Sequence, residues 1–283
     1  MRRPLLSVVA LPCAALCALT FSACSSDKGA PHLARGNVLV NTGHRDEAVA
    51  EYREAARLSP GSEVARERLA DTLYDLGRKP EALEQYRDAA RVDPGQVTPR
   101  IGAARVLADL GDLPGARAEL TAALEKAPTN LFALLSRGNL AARAGDRKAA
   151  LTDFESAVHF KSDNVPALSA LGLSLLDDGQ TAEAEATFER LLKLAPGSPA
   201  GWYGKARLAA RKGDAAAAGG ALKEAMARAL PDARTSLTDQ GVPEVQAEAR
   251  AQEQAARSRT ALQADPAFAA IAADPSFRLA AGW

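Results

Sequence analysis

Hydrophobic, small and polar positions recur along this chain with a fixed period of 34 residues. One copy of the pattern runs from Gly43 to Ala55, with Ala48 and Tyr52 between them. The equivalent positions in the next five copies are Gly77, Ala82, Tyr86 and Ala89; Gly111, Ala116, Leu120 and Ala123; Gly145, Ala150, Phe154 and Ala157; Gly179, Ala184, Phe188 and Leu191; and Gly213, Ala218, Leu222 and Ala225. A period of this size predicts a solenoid of stacked repeats.

The positions within one period predict two helices joined by a tight turn. A small residue seven positions before each glycine and an apolar residue between them fall on one face of a first helix. In the first copy these two residues are Gly36 and Leu39. The glycine ends the helix, because the residue that follows a helix often needs a positive φ. The alanine, aromatic and alanine positions then form the apolar stripe of a second helix, so we predict an all-α fold.

This pattern resembles the tetratricopeptide repeat, a 34-residue pair of antiparallel helices that stacks into a right-handed superhelix. The resemblance covers about 200 of the 283 residues. It implies a right-handed α-solenoid of six repeats over residues 32–230, closed by a C-terminal capping segment. The chain departs from the family pattern in the first helix, where the usual tryptophan is present only as Trp202.

The period fails from Pro231 onward. Turn-forming residues predict a loop over residues 231–243, and residues 244–283 are predicted to form a polar, alanine-rich helix and then a cap. The last repeat of a solenoid otherwise exposes apolar surface to water. The residues expected to cover it are Phe268, Ile271, Phe277 and Leu279. The alternative is that this segment is a separate binding tail.

Residues 1–23 are typical of an export signal. Arg2 and Arg3 precede an apolar run that is short for a membrane-spanning helix. The run ends in small residues before Cys24, which resembles the lipobox of bacterial lipoproteins. That resemblance implies that Cys24 is acylated and anchors the chain to a lipid bilayer. The alternative is an ordinary secretory signal that leaves Cys24 as a free thiol.

The residues after the cysteine predict a short connection to the membrane. Residues 24–31 are expected to form a polar tether of a few residues. Ser25 follows the cysteine, which by the same resemblance implies sorting to the periplasmic face of the outer membrane if the cell has two membranes.

Composition and motifs argue against several classes of function. The formal net charge is zero, so a general nucleic-acid binder is not indicated. The three histidines, His32, His44 and His159, are not arranged as metal ligands or with a nucleophile. The pair Gly219-Gly220 weakens a predicted helix and is not part of a phosphate loop. We therefore expect no enzyme activity, no cofactor and no small-molecule substrate.

The resemblance implies that the first helices line a groove for a peptide or another protein. The outward-facing positions of those helices are Asn37, Asn41, Glu67, Asp71, Tyr74, Asp75, Arg105, Asp109, Phe132, Asn139, Arg143, Tyr203, Arg207 and Arg211. Carboxylates dominate near repeat two and arginines near repeat six, so a bound segment would meet opposite charges at its two ends. The alternative for each residue is a solvated helix face.

These features together predict a membrane-anchored adaptor that binds a protein segment in its groove. An alternative of a different class is a structural scaffold or assembly factor of a secretion, pilus or cell-wall machine. A third is a regulator of a cell-wall enzyme. Because a fold does not determine its partner, the sequence alone leaves all three open.

Overall fold

The computed structural model describes residues 27–239 and 244–282. The signal at 1–23 and the acylation predicted at Cys24 lie outside these residues. Throughout the described part the regular structure is helical, which confirms the all-α prediction. The chain divides into two compact units, one ending at Pro99 (unit 1) and the other beginning at Arg100 (unit 2).

Unit 1 consists of two helix pairs. The helices are α1 (Ala30–Asn41), α2 (Arg45–Leu58), α3 (Glu63–Asp75) and α4 (Lys79–Val92). Within each pair the helices pack on one another, and α2 also packs on α3. The α3 helix begins at Ser62, whose side chain accepts a hydrogen bond from the Ala65 N–H and so satisfies one of the free donors at the helix start.

Unit 2 continues the alternation of first and second helices and ends in a different arrangement. Its helices are α5 (Thr98–Asp109, which begins two residues before the boundary), α6 (Leu113–Lys126), α7 (Leu131–Arg143), α8 (Arg147–Phe160), α9 (Val165–Asp178), α10 (Thr181–Leu194), α11 (Pro199–Arg211), α12 (Ala215–Asp239), α13 (Glu244–Gln263) and α14 (Pro275–Ala281). A 3₁₀ turn at Pro266–Phe268 lies between the last two.

The glycines that were predicted to end the first helices have the expected backbone conformation. Their φ angles lie between 75° and 89°, the left-handed region that glycine adopts without a steric penalty. These residues are Gly43, Gly77, Gly111, Gly145, Gly179 and Gly213. The 34-residue register that was read from the sequence is therefore confirmed at every first-helix end.

The core of each pair lies between a small residue of the first helix and a large residue of the second. An added Cβ on Gly138 would lie 2.5 Å from the ring of Phe154, and one on Gly172 would lie 2.6 Å from the ring of Phe188. Only a residue without a Cβ permits this approach. The predicted alanine stripe is buried as well, with Ala116 fully buried in α6.

The structure corrects the loop predicted over residues 231–243 for residues 231–239, and residues 240–243 lie outside the described part of the chain. Helix α12 continues through Pro231 to Asp239. A proline inside a helix removes one hydrogen bond and costs about 3 kcal/mol, but helix packing can offset that loss. Here α13 packs on α12, its residues Ala247 and Ala251 are fully buried, and Arg234 lies 3.6 Å from Glu248.

The predicted cap is present with one error. Phe268, Ile271 and Phe277 are buried in a cluster with Ala206 and Leu222 of the last helix pair. The Phe268 and Phe277 rings stack at 5.7 Å.

Leu279 is the exception, since its side chain is 84% exposed. It lies on α14 only two residues from buried Phe277, and residues two apart in a helix do not share a face. The prediction that it covers the last repeat is therefore wrong.

Candidate functional site

The first-helix face of unit 1 is supported from beneath by two tyrosines. The Tyr52 hydroxyl, on α2, donates a hydrogen bond of 2.7 Å to Asn37 on α1. The Tyr86 hydroxyl, on α4, donates in the same way to Asp71 on α3. Burial raises the pKa of Tyr52 above its ordinary value. Each second helix therefore fixes one polar side chain of the first-helix face.

Two carboxylates lie one helical turn apart on this face. Glu67 is half-buried on α3, and its pKa is raised first by burial and second by the charge of Asp71. Farther along α3, exposed Asp75 lies 3.9 Å from Arg45, and Tyr74 is half-buried. Repulsion between Glu67 and Asp71 would fall if a positive charge bound beside them.

The remaining predicted residue of unit 1, Asn41, is exposed at the end of α1. Thus the predicted residues of this unit lie on two neighbouring first helices. Oxygen acceptors and carboxylates predominate among them. This composition favours a cationic group over an anionic one.

In unit 2 the first-helix face is exposed at several predicted positions. Phe132, at the start of α7, is 73% exposed, and Asn139 and Arg143 are exposed farther along the same helix. Arg105 and Asp109 are exposed on α5. An exposed phenylalanine beside polar groups is suited to packing against a partner's apolar side chain.

The arginines near the C-terminal end of this face differ from one another. Arg207 is only 22% exposed, and its Nη2 lies 2.8 Å from Asp177 of the preceding first helix. Arg211 is exposed at the end of α11. The positive charge predicted there is therefore partly neutralised within the chain, and a carboxylate partner would have to compete with Asp177.

The Tyr203 side chain makes two contacts with the C-terminal segment of the same chain. Its hydroxyl donates to the carboxylate of Asp265, and its ring meets Phe268 edge-on at 6.3 Å. Burial, followed by the contact with Asp265, raises the pKa of Tyr203 well above its ordinary value. A partner that binds Tyr203, one of the predicted groove residues, would therefore have to compete with the C-terminal segment.

Sequence reasoning missed a pocket on the second-helix side of unit 2. Arg137 and Asp153 form a bidentate ion pair at 2.9 and 2.7 Å, and the Asp153 side chain is only 6% exposed. Hydrogen bonding to Asp153 raises the pKa of Arg137. The pair lines a pocket of about 420 Å³ with Leu124, Leu134 and Phe160 among its walls.

A signal for this pocket was present in the alignment of the repeats. The positions equivalent to Arg137 in the repeats on either side are Ala103 and Leu171. A charged residue at a position that is apolar in its neighbours requires a buried partner, and Asp153 provides it.

Within residues 27–239 and 244–282 no helix is both long and apolar enough to cross a bilayer. The same residues contain no cluster of three or more side chains that could hold a metal ion.

Three solved structures share the fold of this chain at low sequence identity. YrrB, described as a TPR protein with an unusual peptide-binding site, has a TM-score of 0.51 and 21% identity, over 67% of this chain and 97% of its own. The Pseudomonas aeruginosa protein pilF has a TM-score of 0.59 and 16% identity, over 69% and 88%. MamA has a TM-score of 0.52 and 18% identity, over 59% and 91%. At these identities the likeness shows the fold alone.

No curated protein sequence matches the chain. The family model of the tetratricopeptide repeat, in contrast, matches residues 33–97, 101–166 and 169–234. These matches span more than half of the sequence and follow the helix pairs described above. The chain therefore belongs to the tetratricopeptide-repeat family, whose fold serves protein–protein interaction.

Proposed function

We propose that this protein is a lipid-anchored adaptor of the cell envelope that binds a protein segment on its first-helix faces. The family supports a role in protein interaction. The small residues before Cys24 support the anchor. Neither point identifies the partner, so its chemistry is inferred from the side chains of the two faces.

The acidic pair of unit 1 is the observation that carries the proposal. Glu67 is half-buried beside Asp71, and its raised pKa reflects burial and repulsion. A lysine or arginine of a partner would offset the repulsion between the two carboxylates. It would also donate hydrogen bonds to Glu67 in place of those that burial takes from water. Among proteins of the same fold, YrrB is described as having an unusual peptide-binding site, which supports peptide binding as a use of this fold.

The face of unit 2 suggests a second feature of the partner segment. Phe132 offers an exposed ring, and Arg143 lies on the same helix. A segment with an apolar side chain near a carboxylate would match both. We therefore propose that the face of unit 2, taken by itself, binds a protein segment with an apolar side chain near a carboxylate.

A matched pair of variants tests the acidic pair. Chemical crosslinking in membranes would first recover the partner. Glu67→Gln together with Asp71→Asn removes both charges and keeps an oxygen that can accept the Tyr86 hydrogen bond. Partner affinity should fall most at low salt, where screening is weakest.

Glu47→Gln is the control, because it removes one exposed carboxylate on α2, outside the first-helix face and outside the pocket of unit 2. Its effect on partner affinity should be small. Equal affinities of the original chain and the double variant at the lowest salt would contradict the proposed contact.

The anchor is tested separately. Cys24→Ala should leave the protein soluble or uncleaved, because the acyl chains that bind the bilayer are lost. Membrane fractions from cells expressing either form would be washed with carbonate and compared. Identical partitioning of the two forms would contradict acylation. It would not bear on the proposed binding of a partner by Glu67 and Asp71.

A scaffold function is the second candidate, and the pocket of unit 2 favours it. Phe160 lines the pocket and is 51% exposed at the end of α8. A scaffold would bind its partner through this second-helix side. Phe160→Ser should then weaken the recovered complex, while the double variant of the acidic pair would not.

A further inference from the structure

The first described residues of the chain are bound to one edge of the first helix pair. Asp27 accepts hydrogen bonds from the Ser59 hydroxyl and, at 3.0 Å, from the Gly29 N–H. The same N–H lies 3.0 Å from the Ser59 oxygen. An added Cβ on Gly29 would lie 2.5 Å from the Ala55 carbonyl oxygen. The chain thus enters α1 in contact with the last turn of α2.

This contact limits the distance between the fold and the proposed anchor. Asp27 is three residues after Cys24, and three extended residues span about 10 Å. Helix α1 contains 12 residues and leads the chain about 18 Å away, to the turn at residues 42–44. The two edges of the first helix pair therefore lie at different distances from an acyl anchor.

We propose that the edge formed by residues 27–31 and by the α2–α3 turn at residues 59–62 faces the bilayer surface. This anchor edge is opposite the turn at residues 42–44, which points away from the membrane. The inference rests on the proposed acylation of Cys24. Its occupant is the lipid headgroup layer, because the covalent chain between cysteine and Asp27 reaches no farther. Exposed Lys28 lies on this edge, where anionic headgroups would attract it.

Fluorescence quenching on vesicles tests the orientation. The acylated protein would be purified from membranes and placed in phosphatidylcholine vesicles containing a lipid with a nitroxide headgroup. The chain has three cysteines; cleavage removes Cys13 and Cys17, and acylation blocks Cys24. A single introduced cysteine can therefore be labelled without a competing thiol.

Two label positions form a matched pair. Gly61→Cys labels the anchor edge, where an added Cβ would meet nothing within 4 Å. His44→Cys labels the opposite turn, where the side chain is exposed. We expect the headgroup nitroxide to quench the label at position 61 strongly and the label at position 44 far less.

A longer tether provides the second measurement. Inserting about twelve Gly/Ser residues after Ser26 adds a flexible span of roughly 20 Å and leaves the Asp27–Ser59 contact intact. Quenching at position 61 should then fall towards that at position 44. A quenching difference unchanged by the insertion would contradict the tether as its cause.

The two proposals fail in distinguishable ways. Equal quenching at positions 61 and 44 of the original chain, on vesicles that bind the protein, overturns the anchor edge but not acylation. Mass spectrometry decides acylation by itself. An unmodified Cys24, together with no vesicle binding, overturns the anchor and the orientation together.

Discussion

The periodic part of the chain and its C-terminal end use glycine in two different ways. Gly138 and Gly172 lie beside a phenylalanine ring of the same helix pair, a contact set by the 34-residue period. Gly219 instead lies beneath α14, and an added Cβ there would lie 2.5 Å from the Phe277 carbonyl oxygen. The first kind of contact can be predicted by comparing repeats, and the second kind cannot.

Tyrosine shows the same difference. The Tyr52 hydroxyl donates to a residue 15 positions earlier in its own pair. The Tyr203 hydroxyl donates to Asp265, 62 positions later. The Tyr52–Asn37 contact recurs one repeat later as Tyr86–Asp71, whereas the last pair is shaped by a segment that folds back on it.

The largest expected effect is in the periodic core. Phe188 is fully buried and packs between Gly172 of its own pair and Gly204 of the next first helix. Phe188→Ala leaves a cavity that glycine neighbours cannot fill, so we expect a loss of about 3–5 kcal/mol in the free energy of unfolding. Urea unfolding followed by circular dichroism at 222 nm measures it.

Phe132→Ala is the matched control, since this side chain is 73% exposed. Its cost should lie within about 0.5 kcal/mol. Similar losses for the two variants would mean that the register of the core is wrong.

A smaller effect is expected at the C-terminal end. Gly219→Ala places a methyl group against the backbone of α14, and we expect it to destabilise the protein by about 1–3 kcal/mol. At neighbouring Gly220 an added Cβ meets nothing within 4 Å. Gly220→Ala should therefore stabilise α12 by roughly 0.5–1 kcal/mol. Thermal melts that move in the same direction for both variants would contradict the packing of α14.

The same contrast explains how far the sequence could predict the fold. The repeated positions predicted the helix pairs, the glycine turns and the buried stripe, because each repeat could be compared with the other five. Pro231 appeared to end α12, since the local cost of proline was weighed without the packing of α13. The exposed Leu279 was misplaced for a similar reason, because no second copy of α14 was available for comparison.

The candidate site follows the same rule. Asn139 and Arg143 are exposed as their positions in the repeat imply. Arg207 is paired with Asp177, a residue of the preceding first helix. The equivalent positions three repeats earlier are Arg105 and Asp75, so a comparison of the repeats suggests a pair of opposite charges at these positions. Tyr203 required knowledge of the C-terminal segment. The period thus points to positions such as Asn139 and Arg143 and to contacts within the repeats, but not to the contact that Tyr203 makes with the C-terminal segment.

The smallest expected effect concerns the two tyrosine contacts. Tyr52→Phe and Tyr203→Phe each remove one hydroxyl hydrogen bond, and each should cost about 0.5–1.5 kcal/mol at neutral pH. The pKa of Tyr203 is raised above its ordinary value by burial and by Asp265. A raised pKa in the folded state contributes stability that is fully present below the unfolded value, near pH 10, and is lost as the pH rises above it.

Alkaline unfolding therefore tests the contact at the C-terminal end. The original chain should lose stability above about pH 10, and Tyr203→Phe should lose less over the same range because it has no phenol to ionise. Urea midpoints at neutral and alkaline pH measure this difference. Tyr52, whose pKa is also raised, provides the comparison from the periodic part. If Tyr203→Phe shows the same alkaline loss as the original chain, the Tyr203–Asp265 contact does not hold the C-terminal segment on α11 in solution.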